Sequence, residues 1–376
     1  MHPECPVLLH GLATPPLLDN GGRMENQVNH AEIILGVDTH LDVHVGVVID
    51  TAGRVLGTLS VGTHNEGYRQ LLCWAQTFGM LRRAGVEGTG SYGSALTHVL
   101  QSNGVTVIKI NRPDRSRRRG RGKSDATDAE SAARSVLAGD AKAIPKTHNG
   151  LAEALRTLNL VRRSAVKAKT QTINQIRVLL VSAPQAIRDA VYKTDAAKCV
   201  AACTALSQGA ATAALASLHT ALRLLAKRWT AFNEELRELD AELARLTKKA
   251  APRLLGRFGV GPQTACTLLV TAGDNPTRLH SEAALAALCE TSPLQASSGK
   301  VQRHRLNRSG DRQANNALWT IAMVRMRSDP RTRDYVAKRT GEGLSKKEIH
   351  RCLKRYIVRE LYPLILADLK DSASST

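Results

Sequence analysis

Ile33-Ile-Leu-Gly-Val-Asp38-Thr-His-Leu-Asp-Val-His-Val-Gly-Val-Val-Ile-Asp50 holds apolar runs too rich in β-branched residues for a helix. Val and Ile lose side-chain freedom against a helical turn but pack well on a pleated surface. The stretch reads as strand. Thr51-Ala-Gly-Arg54 supplies turn chemistry, and Val55 to Val61 reads as a returning strand. An amphipathic helix is expected over 67–78, then a short strand through Ala84-Gly-Val-Glu87 that ends in a Gly-rich turn at Gly93. A helix over 94–101 and a strand over Val105–Ile110 follow. The order of hairpin, helix, strand, helix, strand, basic loop and helix is that of an α/β layer fold.

The helix that closes this run is Lys123-Ser-Asp-Ala-Thr-Asp-Ala-Glu-Ser-Ala-Ala-Arg134. It puts Asp125 and Asp128 on one face of its first turn. Acidic groups there suit the helix dipole, which is the ordinary explanation. The flank Arg112, Arg115, Arg117, Arg118, Arg119, Arg121 and Lys123 argues for more. A carboxylate pair beside dense positive charge, in a 376-residue chain of net charge +20, points to metal-dependent chemistry on a polyanion. Asp38 falls within or just after the first strand and Glu87 ends a later one, so four carboxylates can converge at one edge. Singly, Asp38 reads equally as a turn-initiating aspartate and Glu87 as an exposed strand end. Crowded together, they would raise one another's pKa values and cost stability unless cations were bound. Two Mg²⁺ ions about 3.5–4 Å apart are the usual solution for phosphodiester chemistry.

Composition narrows the class. No apolar run approaches the roughly 20 residues needed to span a bilayer, so no membrane partner is expected. Residues 1–29 carry Pro3, Pro6, Pro15 and Pro16 without a charged n-region, and read as a disordered leader rather than a signal peptide. Met24 offers an alternative start. The seven cysteines form no C-x-x-C, and Cys199 with Cys203 has no nearby His pair to complete a zinc site. A reducing cytoplasm is the expected compartment. Aromatic content of 3% argues against a base-stacking platform and for contacts to a nucleic-acid backbone.

Gly36-Val-Asp38, Val86-Glu87-Gly-Thr-Gly-Ser-Tyr-Gly93 and Lys123-Ser-Asp125-Ala-Thr-Asp128-Ala resemble the motifs of the insertion sequence 110 family of RuvC-like DEDD transposases. The resemblance implies an RNase H-like (RuvC-like) N-terminal domain in which Asp38, Glu87, Asp125 and Asp128 form the catalytic, Mg²⁺-binding set. It also implies a structured bridge RNA that pairs with donor and target DNA.

The middle of the chain reads as helical. A helix is expected over 151–180, with Arg156, Arg162, Arg163, Lys167, Lys169 and Arg177 either tracking a phosphate backbone or forming a solvated face. Pro184 ends or kinks it, and 186–209 carries no clear signal. Leu215, Leu218, Leu222, Leu225, Trp229, Phe232, Leu236, Leu239, Leu243 and Leu246 then alternate steps of three and four, the mark of a coiled coil. The expected partner is the 151–180 helix, together with a second copy of the chain in a dimer or tetramer.

Toward the C-terminus, Leu255-Gly-Arg-Phe-Gly-Val-Gly-Pro-Gln-Thr-Ala265 resembles a helix-hairpin-helix; a plain interhelical turn is the alternative. Helices are expected over 264–272 and 281–289. Ser292-Pro-Leu-Gln-Ala-Ser297-Ser298-Gly-Lys-Val-Gln-Arg-His-Arg305 reads as a flexible Ser-Gly loop. It leads into a basic stretch of Lys300, Arg303, Arg305 and Arg308 and a helix from about Asp311. A serine among cations can attack phosphorus, but an ordinary loop bordered by DNA-clamping arginines fits as well. The segment also resembles the C-terminal transposase domain of the same family, although Gln313-Ala-Asn-Asn stands where the family often has leucine-arginine. That resemblance implies a serine nucleophile linked to DNA through a 5′-phosphoserine, on Ser297 when aligned from Gly310-Asp311 and on Ser298 when anchored on the Ser-Gly pair. Tyr356 and Tyr362, by contrast, read as core packing.

The expected organisation is a leader at 1–29, a RuvC-like α/β domain at 30–145, a coiled-coil arm at 146–250 and a mainly α-helical transposase domain at 251–376. The expected activity is mobile-element DNA recombination in the bacterial cytoplasm, at the nucleoid. The nucleic acid would lie on Arg117, Arg118, Arg119, Arg121, Lys123, Arg162, Arg163 and the basic residues after Ser298. A RuvC-like Holliday-junction nuclease, or a non-catalytic nucleic-acid scaffold, would account for part of the same pattern.

Overall fold

The computed structural model describes residues 31–110, 124–207, 212–301 and 304–374. The basic flank from Arg117 to Lys123, the leader and Arg303 lie outside those residues. The chain divides into two compact units, Met1–Thr147 and His148–Thr376.

The first unit is a five-stranded mixed sheet. Strands β1 (Glu32–Thr39), β2 (Val43–Asp50) and β3 (Val55–Gly62) form an antiparallel meander. Strands β4 (Met80–Glu87) and β5 (Thr106–Ile110) run parallel to β1, giving the order β3-β2-β1-β4-β5. Helices cover both faces, which is why β1 and β2 read as near-continuous apolar runs. Ile33, Leu35 and Val37 pack on one side, with Leu71 of α1 (Asn65–Gln76) and Leu96 and Leu100 of α2 (Ser94–Ser102). Ile34 faces the other way, onto Ala129, Ala132, Ala133 and Val136 of α3 (Asp125–Leu137).

Two glycines set how closely α3 approaches. A Cβ on Gly36 would lie 2.0 Å from the Ala129 carbonyl oxygen, and one on Gly85 would lie 2.8 Å from that of Ala132. Glycine opposite alanine therefore lets the helix backbone rest almost directly on β1 and β4. Side chains alternate along a strand, so Asp38 (two residues after Gly36) and Glu87 (two after Gly85) belong to this same face.

The second unit is helical. Helix α4 (Leu151–Val181) and helix α7 (Ala213–Ala250) lie antiparallel, as the pairs Arg162–Asp240 and Lys169–Asn233 show. Leu222, Trp229, Leu236 and Leu243 of the heptad are buried, while Leu218, Leu225, Phe232, Leu239 and Leu246 are half-buried. Two short helices, α5 (Gln185–Val191) and α6 (Ala196–Thr204), occupy the described part of the quiet stretch 186–209. Cys199 and Cys203 of α6 are buried against Ile176 and Leu222. The other ends of α4 and α7 enter a core with α9 (Pro262–Ala272), α11 (Arg312–Ser328) and α13 (Lys346–Ser374), through Leu155, Leu243, Leu268, Leu318 and Ile357. Helices α8 (Pro252–Leu255), α10 (Glu282–Leu288) and α12 (Pro330–Gly341) complete the unit.

Candidate catalytic site

Strand β1 ends at Thr39, so the chain leaves the pleat just after Asp38. Ser124 caps α3, its hydroxyl accepting from the Thr127 N–H at 3.2 Å. That cap places Asp125 at the first helical position and Asp128 in the first turn. The end of β1 and the start of α3 meet at His40, whose Nε2 lies 3.2 Å from Asp38 Oδ2 and 3.3 Å from Asp125 Oδ1. One ligand atom from each of Asp38, His40 and Asp125 falls within 4.8 Å of the others.

The charges there are crowded. Asp38 is 6% exposed and Asp128 5%. Burial pushes the Asp38 carboxyl above its ordinary value; His40 opposes the shift, and the Asp128 and Asp125 carboxylates add to it. Asp125 is half exposed, which leaves the site open to solvent on one side. Glu87 is the last residue of β4 and half-buried. Its carbonyl oxygen accepts from Thr39 Oγ1 at 3.0 Å, one residue past Asp38, and the register pairs Val37 with Val86 just before both acids. Four carboxylates from three segments (β1, β4 and the first turn of α3) thus share one face and one end of the sheet. Oxygen donors held this closely, one of them buried among like charges, fit a divalent cation. His40 is a member the sequence reading lacked.

The candidate nucleophiles lie in the second unit. Among the described residues of segment 292–305, β6 (Leu294–Gln295) pairs with β7 (His304–Arg305) as a two-stranded hairpin, where a flexible loop was expected. Ser298 and Val301 exchange backbone hydrogen bonds at 3.1 and 3.2 Å around Gly299, whose φ of +55° suits glycine in a tight turn. Ser297 is half-buried and its Oγ accepts from Gln295 Nε2 at 3.3 Å; Ser298 and Lys300 are exposed. Arg305 and Arg308 are exposed as well. After the hairpin, Asp311 caps α11 by accepting from the Gln313 N–H at 2.7 Å.

Other expected contacts are placed differently from one another. Arg162 is held by Asp240, and Lys169 donates to Asn233 while lying 4.4 Å above the Trp229 ring. Arg163 and Lys167 are exposed. Tyr362 donates to the Leu279 carbonyl at 3.0 Å, in keeping with a packing role, but Tyr356 is 53% exposed. Among the described residues, no helix is long and apolar enough to cross a membrane.

Residues 35–183 match the DEDD transposase model of IS110 elements, and residues 251–337 match the model described as "Transposase IS116/IS110/IS902 family". The first contains all four carboxylates and the second contains the serine hairpin. The chain belongs to the IS110 family of transposases. A relative from Streptomyces coelicolor, named as an uncharacterized 43.6 kDa protein of insertion element IS110, is 31% identical over 144 residues. That alignment covers 38% of this chain and 35% of the relative, so the chain matches about a third of that protein's length. Family membership and the Asp–His–Asp group together point to a divalent-metal site at the end of β1.

Proposed function

We propose that this chain is a mobile-element DNA recombinase with an RNase H-like catalytic domain, a Mg²⁺-binding carboxylate set and a serine nucleophile. The observation that carries the reading is the meeting of Asp38 and Asp125 at His40, with Asp128 pressing on Asp38 from the same helix turn. The sheet order β3-β2-β1-β4-β5, with α3 laid across β1 and β4, supports the RNase H-like assignment.

Asp38, Asp125, Asp128 and Glu87 would hold the metal through oxygen donors. When bound, Mg²⁺ supplies charge neutralisation at the scissile phosphate. The protein's own part is positional. The Ser124 cap fixes where the helix acids start, and the register of β1 with β4 fixes where the strand acids end. Ser297, from this chain or another copy, supplies the nucleophile. Its Oγ forms a bond to phosphorus as the P–O3′ bond breaks. The seryl proton is lost, the departing 3′ oxygen gains one, and the 5′ phosphate stays on the serine.

A bridge RNA pairing with donor and target DNA belongs to the same proposal, supported by the net charge of +20. Self-association through a coiled-coil arm is supported by the half-buried heptad column Leu218, Leu225, Phe232, Leu239 and Leu246, which leaves apolar surface for a second copy.

The test is to trap protein–DNA adducts with donor DNA, RNA and Mg²⁺. Wild type is expected to give a covalent adduct that Ser297→Ala abolishes. An adduct kept in Ser297→Ala but lost in Ser298→Ala moves the nucleophile by one residue. Strand cutting that survives loss of both serines makes the protein a metal-dependent nuclease instead.

A further inference from the structure

Helices α11 and α13 face one another across a cleft of about 1100 Å³ in the second unit. Arg312, Asn315, Asn316 and Trp319 lie at helical spacing along one side of α11, and Arg351, Arg355 and Arg359 along one side of α13. Ser292, Pro293 and Arg308 close a third side. The stems of the β6–β7 hairpin therefore rise from the rim of the cleft.

Its charge is one-sided. Six cationic residues line it against one carboxylate, Glu290. Arg355 is held by Glu282, and Lys354 Nζ donates to Asn315 Oδ1 at 2.9 Å. Arg308, Arg312, Arg351 and Arg359 make no ion pair among the described residues. Burial, with Arg351 adding to it, holds the Lys354 ammonium below its ordinary value in spite of Glu290. Cations that outnumber the carboxylates beside them in this way cost stability, and an anion seated among them lowers that cost.

The cleft also keeps two large rings in contact with water. Trp319 is 45% exposed and Tyr356 53%. The Trp319 ring stands at 80° to His350, an edge contact that fixes its plane without stacking a second ring on it. A positive groove with a presented indole face is the arrangement that binds unpaired nucleotides, because a base exposes its own face only when it leaves the duplex stack.

We propose that this cleft holds a short unpaired stretch of nucleic acid, with its phosphates on Arg308, Arg312, Arg351 and Arg359 and a base stacked on Trp319. The strand would lie beside the hairpin that carries Ser297 and Ser298. The inference rests on the reading of the chain as a nucleic-acid recombinase, but the binding it describes needs neither the carboxylates nor a serine.

The test uses the full-length protein in EDTA, titrated with fluorescent dT10, rU10 and a mixed-sequence duplex of ten base pairs. At least one single strand is expected to quench tryptophan fluorescence, and whichever binds more tightly identifies DNA or RNA as the occupant. Trp319→Ala should weaken that binding about tenfold. Arg351→Ala with Arg359→Ala should reduce the salt slope by about 0.7 for each phosphate left without its guanidinium. The exposed pair Arg331→Ala with Arg333→Ala on α12, which does not line the cleft, should change affinity by less than about twofold. Unchanged binding by Trp319→Ala, equal quenching by the duplex, or an equal loss in the Arg331/Arg333 variant would overturn the proposal. Asp125→Asn should bind the strand like wild type. A protein that forms adducts while Trp319→Ala binds normally loses the cleft and keeps the recombinase; strand binding without any adduct does the reverse.

Discussion

The two units crowd charge of opposite sign, and they do so by different means. In the first, carboxylates gather where β1 ends and α3 begins, placed by sheet register and by a helix cap. In the second, arginines gather along the facing sides of α11 and α13 at the ends of long side chains. Burial and like-charge neighbours disturb both groups: Asp38 is pushed up and Lys354 down. The difference lies in tolerance. Main-chain placement suits a small cation with strict geometry, whereas flexible guanidinium groups suit a long polyanion that can shift along them.

Breaking the first arrangement should have the largest effect. Asp128→Asn keeps the size of a buried residue and removes its charge, so we expect strand cutting to fall by at least about 100-fold. Melting temperature, measured alongside cleavage, should be unchanged or raised, since one repulsion is relieved. Gly36→Ala tests whether close helix approach builds the acid set. A Cβ 2.0 Å from the Ala129 carbonyl forces α3 off the sheet. Urea denaturation should show a loss of about 2–3 kcal/mol, and metal binding should weaken with it.

Smaller effects belong to the second unit. Arg156 and His148 hold the Glu153 carboxyl at about 2, against an ordinary 4.5. Its folded pKa is the lower one, so the unfolded chain takes up the proton first. The stability it contributes is present above pH 4.5 and is lost as pH falls toward 2. Glu153→Gln should flatten that part of the stability–pH curve, by roughly 1–2 kcal/mol. Arg162→Ala should cost only about 0.5 kcal/mol, because Asp240 is half exposed and the pair is partly solvated.

What could be read from sequence follows the same division. Strand runs, the β1 hairpin and the Asp125–Asp128 pair are local patterns, and local patterns predict backbone placement well. The leucine periodicity marks α7 as an amphipathic helix, and its buried Leu222 and Trp229 share a core with Ile173 and Ile176 of α4. His40 was not legible. It sits two residues beyond Asp38, outside the strand, and reaches Asp125 only once α3 lies across the sheet. The cleft was hidden for a related reason. Trp319 and Tyr356 belong to faces of two helices far apart in the chain, and a 3% aromatic content averages away two rings placed together. The serine segment looked flexible because Ser and Gly favour loops; the pairing of β6 with β7 around Gly299 is a tertiary outcome. Stretch 186–209 gave no signal since short helices lack enough turns to show a period.

A divalent cation held by acids from separate segments is what the proposed chemistry needs first. Mn²⁺ titration followed by electron paramagnetic resonance, on purified protein without nucleic acid, tests this most directly. Wild type is expected to take up the ion, and Asp38→Asn and Asp125→Asn should each weaken uptake by at least about tenfold. Uptake that is absent in wild type, or equal in both variants and wild type, would contradict it.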